Sequence, residues 1–166
     1  MKGLLFYVLY LIIGSYAERE DLSGKAFTFP KQTATDYVKI TLDDKTSLTA
    51  LTVCLRFFTD LSQEFSIFSM ATLTHHNAFL LYKEPSGQEQ DSYGGGFNAH
   101  QSFVGDITDV HMWDHALSPC QIQNYITHAS FSPGNVISWK ALEYVKQGSV
   151  TVEDIEINTC EKPGLL

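Results

Sequence analysis

Short runs of β-branched and aromatic residues, each closed by turn formers, recur along this chain and constrain its fold more than any other feature. They occupy residues 37–42, 51–58, 66–70, 79–82, 110–113, 136–139 and 150–157. Runs of this length and spacing predict strands, and this many of them predict a β-sandwich. In Leu51-Thr-Val-Cys-Leu-Arg-Phe-Phe58 the residues Leu51, Val53, Leu55 and Phe57 alternate with Thr52, Cys54 and Arg56. Successive strand side chains point to opposite faces, so the spacing predicts one fully buried face. The other face keeps Cys54 and Phe58 and is not simply solvated. One helix interrupts the strands. Ser118-Pro-Cys-Gln121 combines an N-cap serine, a proline at the first helical position and a glutamine placed to complete a capping box. The helix is predicted to run to about Thr127, docking on a sheet through Ile122 and Ile126.

The first residues are one lysine, an apolar run from Leu4 to Ile13, and small residues at Ser15 and Ala17. That pattern predicts a signal peptide, residues 1–17, cleaved before Glu18; the run is too short to span a bilayer comfortably. No later run is long and apolar enough to span, so a secreted, extracellular product is expected. Of 166 residues 149 then remain, residues 18–166, enough for one domain. Lys2 leaves with the leader, so the net charge moves from −8 to −9. Such a surplus disfavours nucleic acid and anionic lipid and suits cations where carboxylates cluster. Cys54, Cys120 and Cys160 make an odd count, so at least one thiol is free, intermolecular or without its natural partner.

Carboxylate and amide oxygens concentrate between Glu89 and Gln101 around Gly94-Gly95-Gly96. Hard oxygen donors on a flexible loop are what calcium selects. Glu89 and Asp91 share a face if extended, and the carbonyl of Gln90 with the amides of Asn98 and Gln101 adds neutral oxygens. On composition alone an ordinary polar turn is the better reading, because the periodic acidic signature of an EF-hand is absent. A glycosidase would use Glu89 and Asp91 as paired acids. The laminarinase-like sandwich enzymes, however, carry a second glutamate where this chain has Gly94, so no enzyme is expected. His75, His76, His111 and His115 lack a useful zinc spacing in extended backbone and read as surface or turn residues.

The segment Gly87-Gln-Glu-Gln-Asp-Ser-Tyr-Gly-Gly-Gly-Phe97, followed by Gln101-Ser-Phe-Val-Gly-Asp-Ile107 and Asp109-Val-His-Met-Trp-Asp114, resembles the short pentraxins, the C-reactive protein and serum amyloid P component type. Ordered matches continue through Lys25-Ala-Phe-Thr-Phe-Pro30, the 51–57 run, Phe65-Ser-Ile-Phe-Ser69, Leu117-Ser-Pro119 and Phe131-Ser-Pro-Gly-Asn-Val136. The resemblance implies an all-β, lectin-like jelly-roll sandwich with one short helix, assembled as a homopentameric ring. It also implies two calcium ions per protomer that bind phosphocholine or phosphoethanolamine-type ligands, a role in innate immunity and the acute phase, and complement components as partners. By position the family's metal ligands fall on Asn77, Glu89, the Gln90 carbonyl, Asp91 and Gln101, and Tyr82 matches the residue beside the ligand's ammonium end.

Two positions depart from the family. His76-Asn77 replaces Asp-Asn, and Asn98 replaces an acidic residue, though it could still donate a neutral oxygen. Fewer carboxylates mean weaker calcium binding, most of all at the second, more exposed ion. A larger departure lies between Glu84 and Gly87, where the family has several more strands. With them goes the family's His-x-Cys-x-Ser/Thr-Trp, whose cysteine pairs with the one matching Cys54. Cys120 and Cys160 are not family positions; they could pair, cross-link chains or stay reduced. Losing central strands exposes edges and empties core. The alternative to a calcium-dependent recognition protein is therefore a truncated, non-binding structural remnant, a splice or gene-model product.

Overall fold

The computed structural model of the protein describes residues 19–42, 48–72, 78–84 and 99–155. Eight strands lie within them: β1 (Lys25–Phe29), β2 (Tyr37–Ile40), β3 (Thr52–Phe58), β4 (Phe65–Met70), β5 (Phe79–Lys83), β6 (Gly105–Trp113), β7 (Tyr144–Gln147) and β8 (Thr151–Asp154). One helix, α1 (Pro119–Ile126), follows β6, and 3-10 turns occupy Ala99–Gln101 and Trp139–Ala141. The all-β jelly-roll class with one short helix holds, and its sheets are open.

The largest sheet runs β3-β6-β1-β8, and its three pairings are antiparallel. β2 pairs with β7, and β4 with β5, as separate two-stranded sheets. The inner face of the large sheet supplies Phe27, Ile107, Val110 and Met112 to a core shared with Leu22, Phe65, Phe103, Trp139 and Leu142. Val38, Ile40 and Tyr144 pack onto it from β2 and β7, and Ile67 and Phe68 from β4. Ile67 and Phe68 are neighbours, yet both reach the core because the β4–β5 register shifts between Ser66 and Phe68. Edge-to-face rings bind the layers, with Phe27 5.0 Å from Trp139 and 4.9 Å from Tyr144.

Several sequence expectations change. The alternation in β3 is present, but Val53 and Leu55 are only half-buried and Phe57 is 47% exposed, because β3 ends its sheet and has one neighbouring strand rather than two. The 136–139 run is no strand. It makes a single bridge from Ile137 to Met112 and then turns at Trp139, which is 1% exposed. β1 and β7 were absent from the runs read in sequence, and β6 begins well before residue 110.

Helix α1 starts as expected: the Ser118 side chain accepts from the Gln121 N–H, and the Gln121 side chain accepts from the Ser118 N–H at 2.9 Å. Its docking face differs. Ile122 and Ile126 point outward, and Tyr125 is the buried residue. Tyr125 donates its hydroxyl to the Asp109 carbonyl at 2.9 Å, and the Arg56 guanidinium stacks 4.8 Å from its ring centroid. Arg56 also donates to the carbonyls of Tyr125 and Ile126 and to the Asp109 carboxylate, so one β3 side chain caps the helix C-terminus.

Candidate functional site

Of the residues expected to form the site, Tyr82 and Gln101 fall within the described structure, and they meet. Tyr82 sits on β5, just before the strand ends at Lys83, and Gln101 ends the 3-10 turn Ala99–Gln101. The Gln101 Nε2 donates to the Tyr82 hydroxyl oxygen at 3.2 Å and to Glu64 Oε1 at 3.3 Å. Residues 85–98, which carry most of the oxygen-rich stretch, lie in sequence between β5 and the 3-10 turn, so this contact ties together the elements that flank them. Asn77, Glu89, Gln90, Asp91 and Asn98 lie outside the described residues, as do His75 and His76.

The frame under this contact is built from backbone. Lys83 Nζ donates to the carbonyls of Ser62 at 2.9 Å and Gln63 at 3.2 Å, which folds the chain before β4 toward β5. Gln63 Nε2 donates to the His100 carbonyl at 3.0 Å, joining the same segment to the 3-10 turn. Ser102 donates its hydroxyl to the Ala99 carbonyl and accepts from the Thr33 N–H, which pins the turn from its other side. Tyr82, Gln101 and Glu64 are thus held by three different stretches of chain.

Burial, then the hydrogen bond and charge of Glu64, push the Tyr82 phenol up to about 12, so it is protonated at neutral pH. It offers a neutral oxygen and an aromatic face, not an anion. With the Gln101 Nε2 occupied by Glu64 and Tyr82, its carbonyl Oε1 accepts no hydrogen bond from the described residues. An amide oxygen left without a donor among the described residues is a ligand a hard cation accepts. No group of three His, Cys, Asp or Glu side chains gathers among the described residues.

Glu64 was not singled out in the sequence. It stands 37 positions from Gln101, and nothing local marks it. The histidines do not converge. His115 is exposed and contacts Asp114 at 2.8 Å, whereas His111, expected at the surface, is 1% exposed. Its Nδ1 accepts from the Gly134 N–H at 3.2 Å, so its own proton sits on Nε2, and burial pushes its pKa down. Cys54 and Cys120 are free thiols, Cys54 half-buried and Cys120 exposed; Cys160 lies outside the described residues.

Comparison with known proteins gives the family. The Pentaxin family model matches residues 25–87 and 85–154, most of the chain. The chain is 36% identical over 219 positions to C-reactive protein of Rattus norvegicus, covering 92% of this chain and 95% of the relative. It is 33% identical over 215 positions to C-reactive protein of Sus scrofa, covering 91% and 96%. Similarity extends to mucosal pentraxin of Mus musculus, 30% identical over 220 positions with 92% and 98% covered. In the pig alignment, 91% of 166 residues is about 151, so roughly sixty of its 215 positions have no residue in this chain. By family model, by identity over nearly its whole length, and by an all-β fold with one short helix, this chain belongs to the pentraxins, non-enzymatic binding proteins of innate immune recognition.

Proposed function

We propose that this pentraxin is a secreted, calcium-dependent recognition protein for phosphocholine or phosphoethanolamine-type ligands. Calcium would be held by Asn77, Glu89, the Gln90 carbonyl, Asp91 and Gln101, with Asn98 as a neutral donor, and Tyr82 would lie against the ligand's ammonium end. The observation that carries this reading is the contact of Gln101 with Tyr82, which joins an expected metal ligand to the expected ligand-facing ring. Calcium bound beside Tyr82 leaves coordination positions for phosphate oxygens, while the phenol ring offers a π face to a methylated ammonium.

The test is retention of the purified protein on immobilised phosphocholine in millimolar calcium, with elution by chelator. Calcium should also raise the melting temperature, because an ion that binds only the native state stabilises it. Glu89→Gln together with Asp91→Asn should abolish both effects. Retention unaffected by chelator, or no thermal shift at millimolar calcium, would overturn the reading.

A second reading is favoured by the two family matches, which overlap at residues 85–87, and by the roughly sixty of 215 aligned positions that have no residue in this chain. We infer that the unmatched block lies between Glu84 and Gly87 and comprised central strands, so the 18–166 domain is truncated. If that truncation removed ligand binding, the protein is a structural remnant and calcium produces no shift. Assembly into a pentameric ring and engagement of complement components belong to the first reading. Light scattering on the secreted product reports whether the ring forms.

A further inference from the structure

We propose that Glu64 is a positioning residue for the calcium site: with Tyr82 it holds the Gln101 side-chain amide in one orientation, presenting the carbonyl oxygen, not the NH2 group, to the ion. This rests on the calcium reading above and adds a residue to it. A glutamine amide has two nearly isosteric ends, one a donor and one an acceptor, and only the oxygen can ligate a cation. Without an anchor the amide can flip and present N–H groups to the metal. Here both Nε2 contacts are fixed, to Glu64 Oε1 at 3.3 Å and to the Tyr82 hydroxyl oxygen at 3.2 Å.

The anchor is itself built. The neighbouring Gln63 is tied to the His100 carbonyl, Lys83 holds the carbonyls of residues 61–63, and Phe65, the next residue, is fully buried in the core. These contacts fix the backbone on both sides of Glu64, so its side chain starts from a point held within reach of Gln101. A carboxylate is the right anchor because it accepts and never donates, so it contacts only the NH2 end. Outer partners that orient a ligand typically change metal affinity by roughly 10- to 100-fold when removed.

The experiment compares the full secreted chain with Glu64→Ala and Glu64→Gln. In calcium-free buffer, NMR of the assigned Gln101 side-chain amide reads the orientation without the metal. Wild type and Glu64→Gln, whose amide oxygen can still accept, should show a shifted, slowly exchanging NH2 pair; in Glu64→Ala the pair should move to solvent-exposed values. Calorimetric calcium titration should then show affinity lowered about 10-fold in Glu64→Ala and close to wild type in Glu64→Gln. Equal losses in both variants would mean that only charge matters and would overturn the proposal. So would an unchanged Gln101 signal in Glu64→Ala, whatever its melting temperature. An anchored Gln101 in a wild type that binds no calcium would refute the calcium reading and, with it, the positioning role, while leaving the amide contact itself established. The NMR and calorimetric arms thus separate a failure of Glu64 from a failure of the site.

Discussion

His111 shows how far a single residue can depart from its sequence reading. Val110-His-Met-Trp113 was legible as a strand, but which neighbours cover its histidine depends on α1 and on the chain around Phe131, whose ring lies 5.3 Å away. Buried and accepting the Gly134 N–H, the imidazole is neutral in the native state. Its pKa is lowered, so below the ordinary value of 6.5 the unfolded chain binds the proton more readily than the folded one. Stability should therefore hold above about pH 6.5 and fall as pH drops from there to the depressed native pKa. Denaturant midpoints between pH 7.5 and 5 would show this. In His111→Gln, which can still accept from Gly134, that part of the slope should vanish. Cys54 and Cys120 give a second residue-scale expectation. Burial pushes the Cys54 thiol up, while Cys120 stands exposed at the start of α1. Thiolate is the reactive form, so mass spectrometry during alkylation of the native protein should find Cys120 modified well before Cys54.

At the scale of elements, what the sequence revealed was what is local. Ser118 and Gln121 are three residues apart, so the helix start could be read directly, and Ser118→Ala should cost about 1 kcal/mol in denaturant unfolding. The docking of that helix could not be read. It depends on Arg56, 69 positions from Tyr125, reaching across from β3 to two terminal carbonyls and to Asp109. Asp109 has φ 53, and the β3–β6 register shifts between Cys54 and Arg56, a local irregularity that no hydrophobic alternation announces. Arg56→Ala should cost about 2–3 kcal/mol, since it strips charge-assisted hydrogen bonds and a stacked ring. Arg56→Lys should recover only part of that, because an ammonium cannot reproduce the guanidinium fork. β1 shows the converse limit. Lys25-Ala-Phe-Thr-Phe29 carries no distinctive strand pattern, because five residues give too few alternations. Its place between β6 and β8 comes from partners more than 70 positions away, as in the Thr28 to Asp106 hydrogen bond.

For the whole molecule the decisive fact is the open sheet. β3 ends the four-stranded sheet, and among the described residues no strand pairs with its outer edge. The last residues of β3 are Phe57 and Phe58, 47% and 66% exposed, and they line a cavity of about 460 Å³ with Ala26, Asp106 and Ile155. An unpaired edge that ends in exposed aromatics is a template for pairing with another chain, and native edges usually carry charge to prevent it. On the truncated reading, where no ring covers that edge, association should be concentration-dependent and should not stop at a closed ring, with light scattering rising as the protein is concentrated or warmed. Phe58→Lys should suppress it. Phe58 lies on the outer face, away from the Phe65 and Phe103 rings that Phe57 touches, so the substitution should change the unfolding free energy by less than about 1 kcal/mol. Gly105 must stay untouched in such a design, because its φ is 132 and a Cβ there would sit 2.1 Å from the Phe58 carbonyl oxygen. If Phe58→Lys associates as readily as wild type, the β3 edge is not the adhesive surface. If wild type instead gives a single species near five protomers at all concentrations, the open edge is covered within a ring and the truncated protomer still assembles as its family does.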